Sequence, residues 1–105
     1  MIARKHSRHA VKFPIEFTGD YDGEGLLTNL SLSGCRLERA DMLIEQDDIL
    51  TLSLYPSLQE SPVTIEAAVV RWISGLACGL EFFEVSPEAQ HRLERYIAGP
   101  ALAQT

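Results

Sequence analysis

Cysteine is scarce in this chain: Cys35 and Cys78, 43 residues apart, are the two present, and neither lies in the close pairing that marks a zinc site or a redox motif. A disulfide framework is excluded, and both thiols read as small buried hydrophobes. Long apolar runs are missing as well. The longest, Ala67 to Val70, stops at Arg71, far short of the ~18 residues that span a membrane. The charged start MIARKHSRHAVK has no apolar stretch behind it before Phe13, so it is not a secretory signal. These absences predict a cytoplasmic protein with no membrane span. Catalytic and metal-binding patterns are equally thin. His6 and His9 do not stand at a ligand spacing from each other or from either cysteine, His91 falls on a helix surface, and Asp47-Asp48 reads as turn polarity. No enzyme, metal or cofactor is expected.

What is present is one domain's worth of ordinary globular sequence, 105 residues of which 46% are apolar and 23% charged. The net charge of −6 argues against general affinity for DNA or RNA, which rests on a broad basic surface. That average hides a split. Residues 1–12 hold Arg4, Lys5, Arg8 and Lys12 with no acid, a charge of +4, and residues 13–105 carry −10. The head of the chain is therefore expected to be a flexible basic arm (1–12) on an acidic body. Taken alone, such a cluster reads first as a solvated terminus.

Hydrophobic periodicity gives the architecture. Val11, Phe13, Ile15 and Phe17 alternate with Lys12, Pro14, Glu16 and Thr18, a half-buried strand, with Pro14 at an edge or beside a bulge. Gly19-Asp20-Tyr21-Asp22-Gly23 reverses the chain. Further strands are predicted over Glu24–Leu30, Cys35–Leu37, Ile49–Tyr55, Val63–Trp72 and Ala77–Glu84, with a short helical turn over Ala40–Gln46. On the fifth strand Val63, Ile65, Ala67 and Val69 form one face, and on the sixth Cys78, Leu80 and Phe82. After Ser86 the period becomes helical: Ser86 is a good N-cap, Pro87 fits the first helical position, and Ala89, Leu93, Tyr96 and Ile97 share a face. Gly99-Pro100 is expected to end the helix, leaving 99–105 as a frayed tail. The fold class is all-β dominated: a six-stranded antiparallel β-barrel with a C-terminal α-helix, spanning residues 10–98.

Two clusters stand out from this frame. Arg4 and Arg8 frame RKHSR, and a spacing of four puts both guanidiniums on one side of a helix or an extended chain. Each offers a planar fork that matches a phosphate or the O6/N7 edge of guanine. The second cluster is Asn29-Leu30-Ser31-Leu32-Ser33-Gly34, at the break between strands two and three. There the period of two sets Asn29 and Ser31 on the outer face, where amide and hydroxyl can read a base edge. Gly34 permits a positive φ or a close backbone approach. A polar strand end with an Asn/Ser turn is the plainer reading of the same residues. Trp72, Phe82 and Phe83 read mainly as core or barrel rim.

RKHSR followed 21 residues later by NLSLSG resembles the paired signature of the PilZ domain: Arg, three residues, Arg, then Asp or Asn, any residue, Ser, two residues, Gly. The likeness extends through the VVRW and CGLEFF strands to the helix that starts at Ser86, and the barrel-plus-helix is the PilZ fold. The resemblance implies a non-catalytic receptor for cyclic diguanylate, a bacterial second messenger with two guanines and two phosphates. By matching positions, Arg4 and Arg8 would hold phosphate oxygens and a guanine Hoogsteen edge, Asn29 and Ser31 would contact a guanine, and Gly34 would shape the turn. Lys5 and Ser33 stand at the margin of this set. The arm would fold over the ligand, one molecule per chain since Ala3 adds no further guanidinium, and the change of shape would be relayed to a downstream protein. The alternatives are a ligand-independent PilZ-like module that docks a partner in motility or secretion machinery, and a small barrel that binds single-stranded RNA, which the acidic body disfavours.

Overall fold

The computed structural model describes residues 9–39 and 44–104, with the side chains of Arg39 and residues 98–104 left aside. Six strands form a closed antiparallel barrel: β1 (His9–Thr18), β2 (Gly23–Leu30), β3 (Gly34–Arg39), β4 (Ile49–Leu54), β5 (Val63–Ser74) and β6 (Ala77–Glu84). Around the barrel they run β1-β2-β3-β6-β5-β4, and β1 pairs with β4 to close it. Closure joins the two end strands of the sheet, β1 and β4, over Ile15–Thr18, which shortens the exposed edge that is the usual hazard of a small sheet.

The alternation read from sequence sets the inside. Ile15 and Phe17 of β1, Leu27 and Leu30 of β2, Leu37 of β3 and Leu52 and Leu54 of β4 are all buried in one core with Val63, Ile65, Val70 and Leu80. Burying a side chain of this size contributes about 1.5–3 kcal/mol relative to exposure. On β5 the expected inner face holds for Val63 and Ile65 and then fails. Register shifts at Ala67/Ala68 and Val70/Trp72 turn the strand over, so that Ala68 and Val70 enter the core cluster, while Val69, still buried at 7% exposure, lies outside that cluster and pairs with the exposed Ile49 and Glu81. One residue of slip exchanges the faces. Pro14 lies just past the irregularity between Ala10 and Phe13 in β1, where its carbonyl accepts the Tyr55 N–H at 2.9 Å.

The helical turn expected over Ala40–Gln46 lies partly outside the described residues, and its described end is a reverse turn. Asp48 N–H donates to the Glu45 carbonyl, the Asp48 carboxylate accepts the Glu45 N–H at 2.9 Å, and Asp47 takes a positive φ of 74°. Short Asp side chains favour this geometry over a helix.

Helix α1 spans Pro87–Gln104. The Ser86 hydroxyl accepts the Ala89 N–H at 3.1 Å, the expected cap. Ala89 and Leu93 enter the barrel core, Tyr96 and Ile97 pack against it, and Tyr96 meets Phe13 edge to face at 5.5 Å. Arg92 ties the helix to the loop before β5, donating to the Ser61 carbonyl at 2.6 Å and the Pro62 carbonyl at 3.2 Å. The helix does not end at Gly99-Pro100. A proline removes one helical hydrogen bond but has a φ the helix accepts, so it interrupts the ladder without closing it. Among the described residues no helix is long and apolar enough to cross a membrane.

Candidate nucleotide-binding site

The strand registers assemble one outward-facing row across five strands. Ala10 of β1 pairs with Asn29 of β2, Asn29 with Arg36 of β3, Arg36 with Gly79 of β6, and Gly79 with Trp72 of β5. Directly opposed residues share a face. The next row, Leu30, Cys35, Leu80 and Val70, is buried, which fixes the first row as the outer wall. At one end the chain enters the barrel at His9, the partner of Leu30. Arg4, Lys5 and Arg8 lie outside the described residues, as does any test of the arm.

Asn29 sits where β2 and β3 slip register, between Leu27 and Asn29. Its Oδ1 and the Thr28 hydroxyl are buried with no hydrogen-bond partner among the described residues. Unpaired buried acceptors are uncommon in folded proteins, and each needs a physical reason.

The residues after Asn29 differ from the sequence expectation in one respect. β2 ends at Leu30, so the period of two stops before Ser31, and Ser31 turns inward to 4% exposure. Its hydroxyl donates to the Gly34 carbonyl at 3.3 Å and accepts the Ser33 N–H at 3.2 Å, while its own N–H donates to Gly34 at 2.9 Å. Asn29 and Ser31 therefore do not form an outer pair: Ser31 is spent in building the turn. Ser33 is half-buried 3.4 Å from the Ser31 hydroxyl. The turn is pinned to β6, where Phe82 N–H donates to the Ser33 carbonyl at 2.8 Å. Of the two reasons expected for glycine at 34, close approach is the operative one. A Cβ there would collide with the Leu80 carbonyl oxygen, and Gly34 has no positive φ.

Sequence reasoning did not single out Arg36 and gave Trp72 no definite place. Arg36 lies over the Trp72 ring, 5.6 Å from its centroid, a cation–π contact. The indole in turn covers Gly79, where a Cβ would overlap it. The Arg36 guanidinium, on the strand next to Asn29, and the part-exposed Trp72 indole, three strands from Asn29, thus form a flat surface along the same row. The pairing of Arg36 with Asn29 was the missing signal, and it depends on a register that no local pattern prints. Beside the row, Arg71 forms an ion pair with Glu81 at 2.7 Å, and Glu81 is the partner of Gly34.

Elsewhere the wall suits an anion poorly. The groove of about 730 Å³ between β1 and β2 is lined by Glu16, Glu24 and Glu38 with Tyr55, whose hydroxyl donates to Glu16. That hydrogen bond raises the Tyr55 phenol above its ordinary pKa. Among the described residues no three His, Cys, Asp or Glu side chains gather to hold a metal, and Cys35 and Cys78 are both in the core.

A family model described as PilZ domain matches residues 3–99, a span that takes in both sequence clusters. Among solved structures, the inhibitor of motility MotI/DgrA of Bacillus subtilis is similar with a TM-score of 0.80 and 24% identity, over 98% of this chain and 53% of that one. YcgR from Escherichia coli, solved in complex with c-di-GMP, gives 0.76 and 19% over 96% of this chain and 47% of that one. The PilZ domain of CeSA from a cellulose-synthesizing bacterium gives 0.70 and 11%, over 90% of this chain and 98% of that one. The chain spans about half the length of the first and of the YcgR chain. At these identities the likeness is one of fold. No match was found among curated proteins.

Proposed function

Because this chain belongs to the PilZ domain family, whose model matches residues 3–99, we propose that it is a non-catalytic receptor for cyclic diguanylate. The observation that carries this reading is Asn29: a buried carbonyl oxygen without a donor among the described residues, one strand pairing from His9, where the described chain enters the barrel. Guanine supplies N–H donors for such an acceptor. Arg4 and Arg8 hold the phosphates and a Hoogsteen edge, with Lys5 adding positive charge. Ser31, Ser33 and Gly34 act one step back, fixing the turn that holds Asn29 and Arg36 in place. Arg36 and Trp72 offer a stacking surface for a purine, a contact worth about 1–3 kcal/mol per base.

Charge favours a small dianion over nucleic acid. A +4 segment on a body of −10 attracts a compact anion locally, while a long polyanion meets repulsion from the rest of the surface. The receptor relays the signal to a downstream protein. Motility control is the process favoured by likeness to a motility inhibitor. The second reading, a ligand-independent docking module, draws support from Ser31, whose hydroxyl is already satisfied inside the turn.

Calorimetry separates the two. Cyclic diguanylate is expected to bind the full chain with one molecule per chain, and Arg8→Ala to weaken binding by at least ~1.5 kcal/mol through loss of a charge-assisted contact. Absence of heat with the unaltered protein would end the receptor reading. Equal binding by the variant would end the assignment of Arg8.

A further inference from the structure

A second part of the outer wall is apolar where solvent should favour polar side chains. Ile49 on β4 is 63% exposed and Phe83 on β6 is 68% exposed. Ile49 pairs with Val69 of β5, and Val69 pairs with Glu81, two residues before Phe83. Ile49 and Phe83 therefore flank one segment of β5 from opposite sides, on strands about 10 Å apart. The local cause is the bulge in which Ala68 pairs with Phe82 and Ala67 with Glu84. Phe83 is the extra residue, and a bulge re-aims the side chain it carries. Single exposed apolar residues need no explanation. Two large ones on either side of Val69, itself only 7% exposed, and of the half-buried Ala67 place an apolar patch across three adjacent strands.

The surroundings select what covers it. Asp47, Glu66, Glu81 and Glu84 are exposed around this face, and Arg71, the basic side chain next to it, is engaged by Glu81. A second copy of the chain would set the same acids against each other, and an anionic lipid surface would be repelled. Apolar centre and acidic rim together fit an apolar anchor flanked by lysine or arginine. The face also shares β6 with the candidate nucleotide site. Phe82, next to Phe83, donates its N–H to the Ser33 carbonyl, and Leu80 lies beneath Gly34.

From these contacts we infer that the Ile49–Val69–Phe83 face is the output surface of the receptor, and that it docks a protein segment carrying an apolar anchor between basic residues. The output role rests on the receptor reading above; the docking chemistry does not. The test uses the isotopically labelled full chain without nucleotide, titrated with an amphipathic leucine–lysine helical peptide and with its leucine–glutamate counterpart. The lysine peptide is expected to shift the amide signals of Ile49, Val69 and Phe83 first and most. Ile49→Thr with Phe83→Thr should lower its affinity by about tenfold while leaving a well-dispersed spectrum, and the glutamate peptide should not bind. Shifts centred on Glu16, Glu24 and Glu38 instead, unchanged affinity in the double variant, self-association through the same residues, or no saturable binding would each overturn the proposal. Calorimetry with cyclic diguanylate reports separately on the receptor reading, so either can fail without the other.

Discussion

Among the described residues nothing satisfies the buried Asn29 acceptor, a condition that costs a fold about 1–3 kcal/mol. If its oxygen receives a guanine donor, Asn29→Ala should weaken cyclic diguanylate by about 1–2 kcal/mol in calorimetry while its melting temperature holds or rises. A matching loss of stability would mean that the side chain serves the fold instead. Gly79 and Trp72 allow a second check, because Trp72 is the chain's one tryptophan. A Cβ at position 79 would overlap the indole, so Gly79→Ala should displace the ring, shift its emission and weaken the nucleotide. An unchanged emission spectrum would contradict the packing of Trp72 on Gly79. The Arg71–Glu81 pair is an exposed ion pair whose own contribution to stability is small.

Elements differ in how far local sequence determines them. Strands β1, β4 and β6 were legible because alternation and turn residues act within the strand itself. The second half of β5 was not, since its faces exchange at a register shift set by the partner strand β6. Ser31 was misread for a related reason: the period of two applies only while the strand lasts, and β2 ends one residue earlier. The start of α1 was legible in Ser86-Pro87-Glu88, whereas its end was not, because Pro100 weakens a helix without forbidding it. The candidate site divides along the same line. Its motif residues are local in sequence, and Arg36 and Trp72 join them only through pairing across the sheet. The contact of α1 with the loop before β5 carries a pH prediction. The Glu60 carboxyl lies below its ordinary pKa, chiefly because it accepts the Tyr96 hydroxyl at 2.6 Å. A depressed carboxylate contributes stability above its unfolded pKa and loses it as pH falls through the folded value. The helix contact should therefore hold at neutral pH and loosen below about pH 4, seen as earlier exchange of α1 amides. Glu60→Gln should remove that acid sensitivity.

Taken whole, the molecule sets one basic segment against an acidic barrel, with −6 overall. Attraction of a dianion to such a segment is screened by salt, so affinity for cyclic diguanylate should fall as ionic strength rises from about 0.05 to 0.5 M. The acidic body should keep nucleic acid binding weak at every salt concentration. Receptor function depends most on the row from Ala10 to Trp72 being the wall that meets the ligand. A heteronuclear titration of the labelled full chain with cyclic diguanylate tests this directly. Saturable shifts are expected at Ala10, Asn29, Arg36, Gly79 and the Trp72 indole, together with the signals of Arg4 and Arg8. A silent row at saturating nucleotide, or shifts gathered in the glutamate-lined groove of β1 and β2, would contradict it.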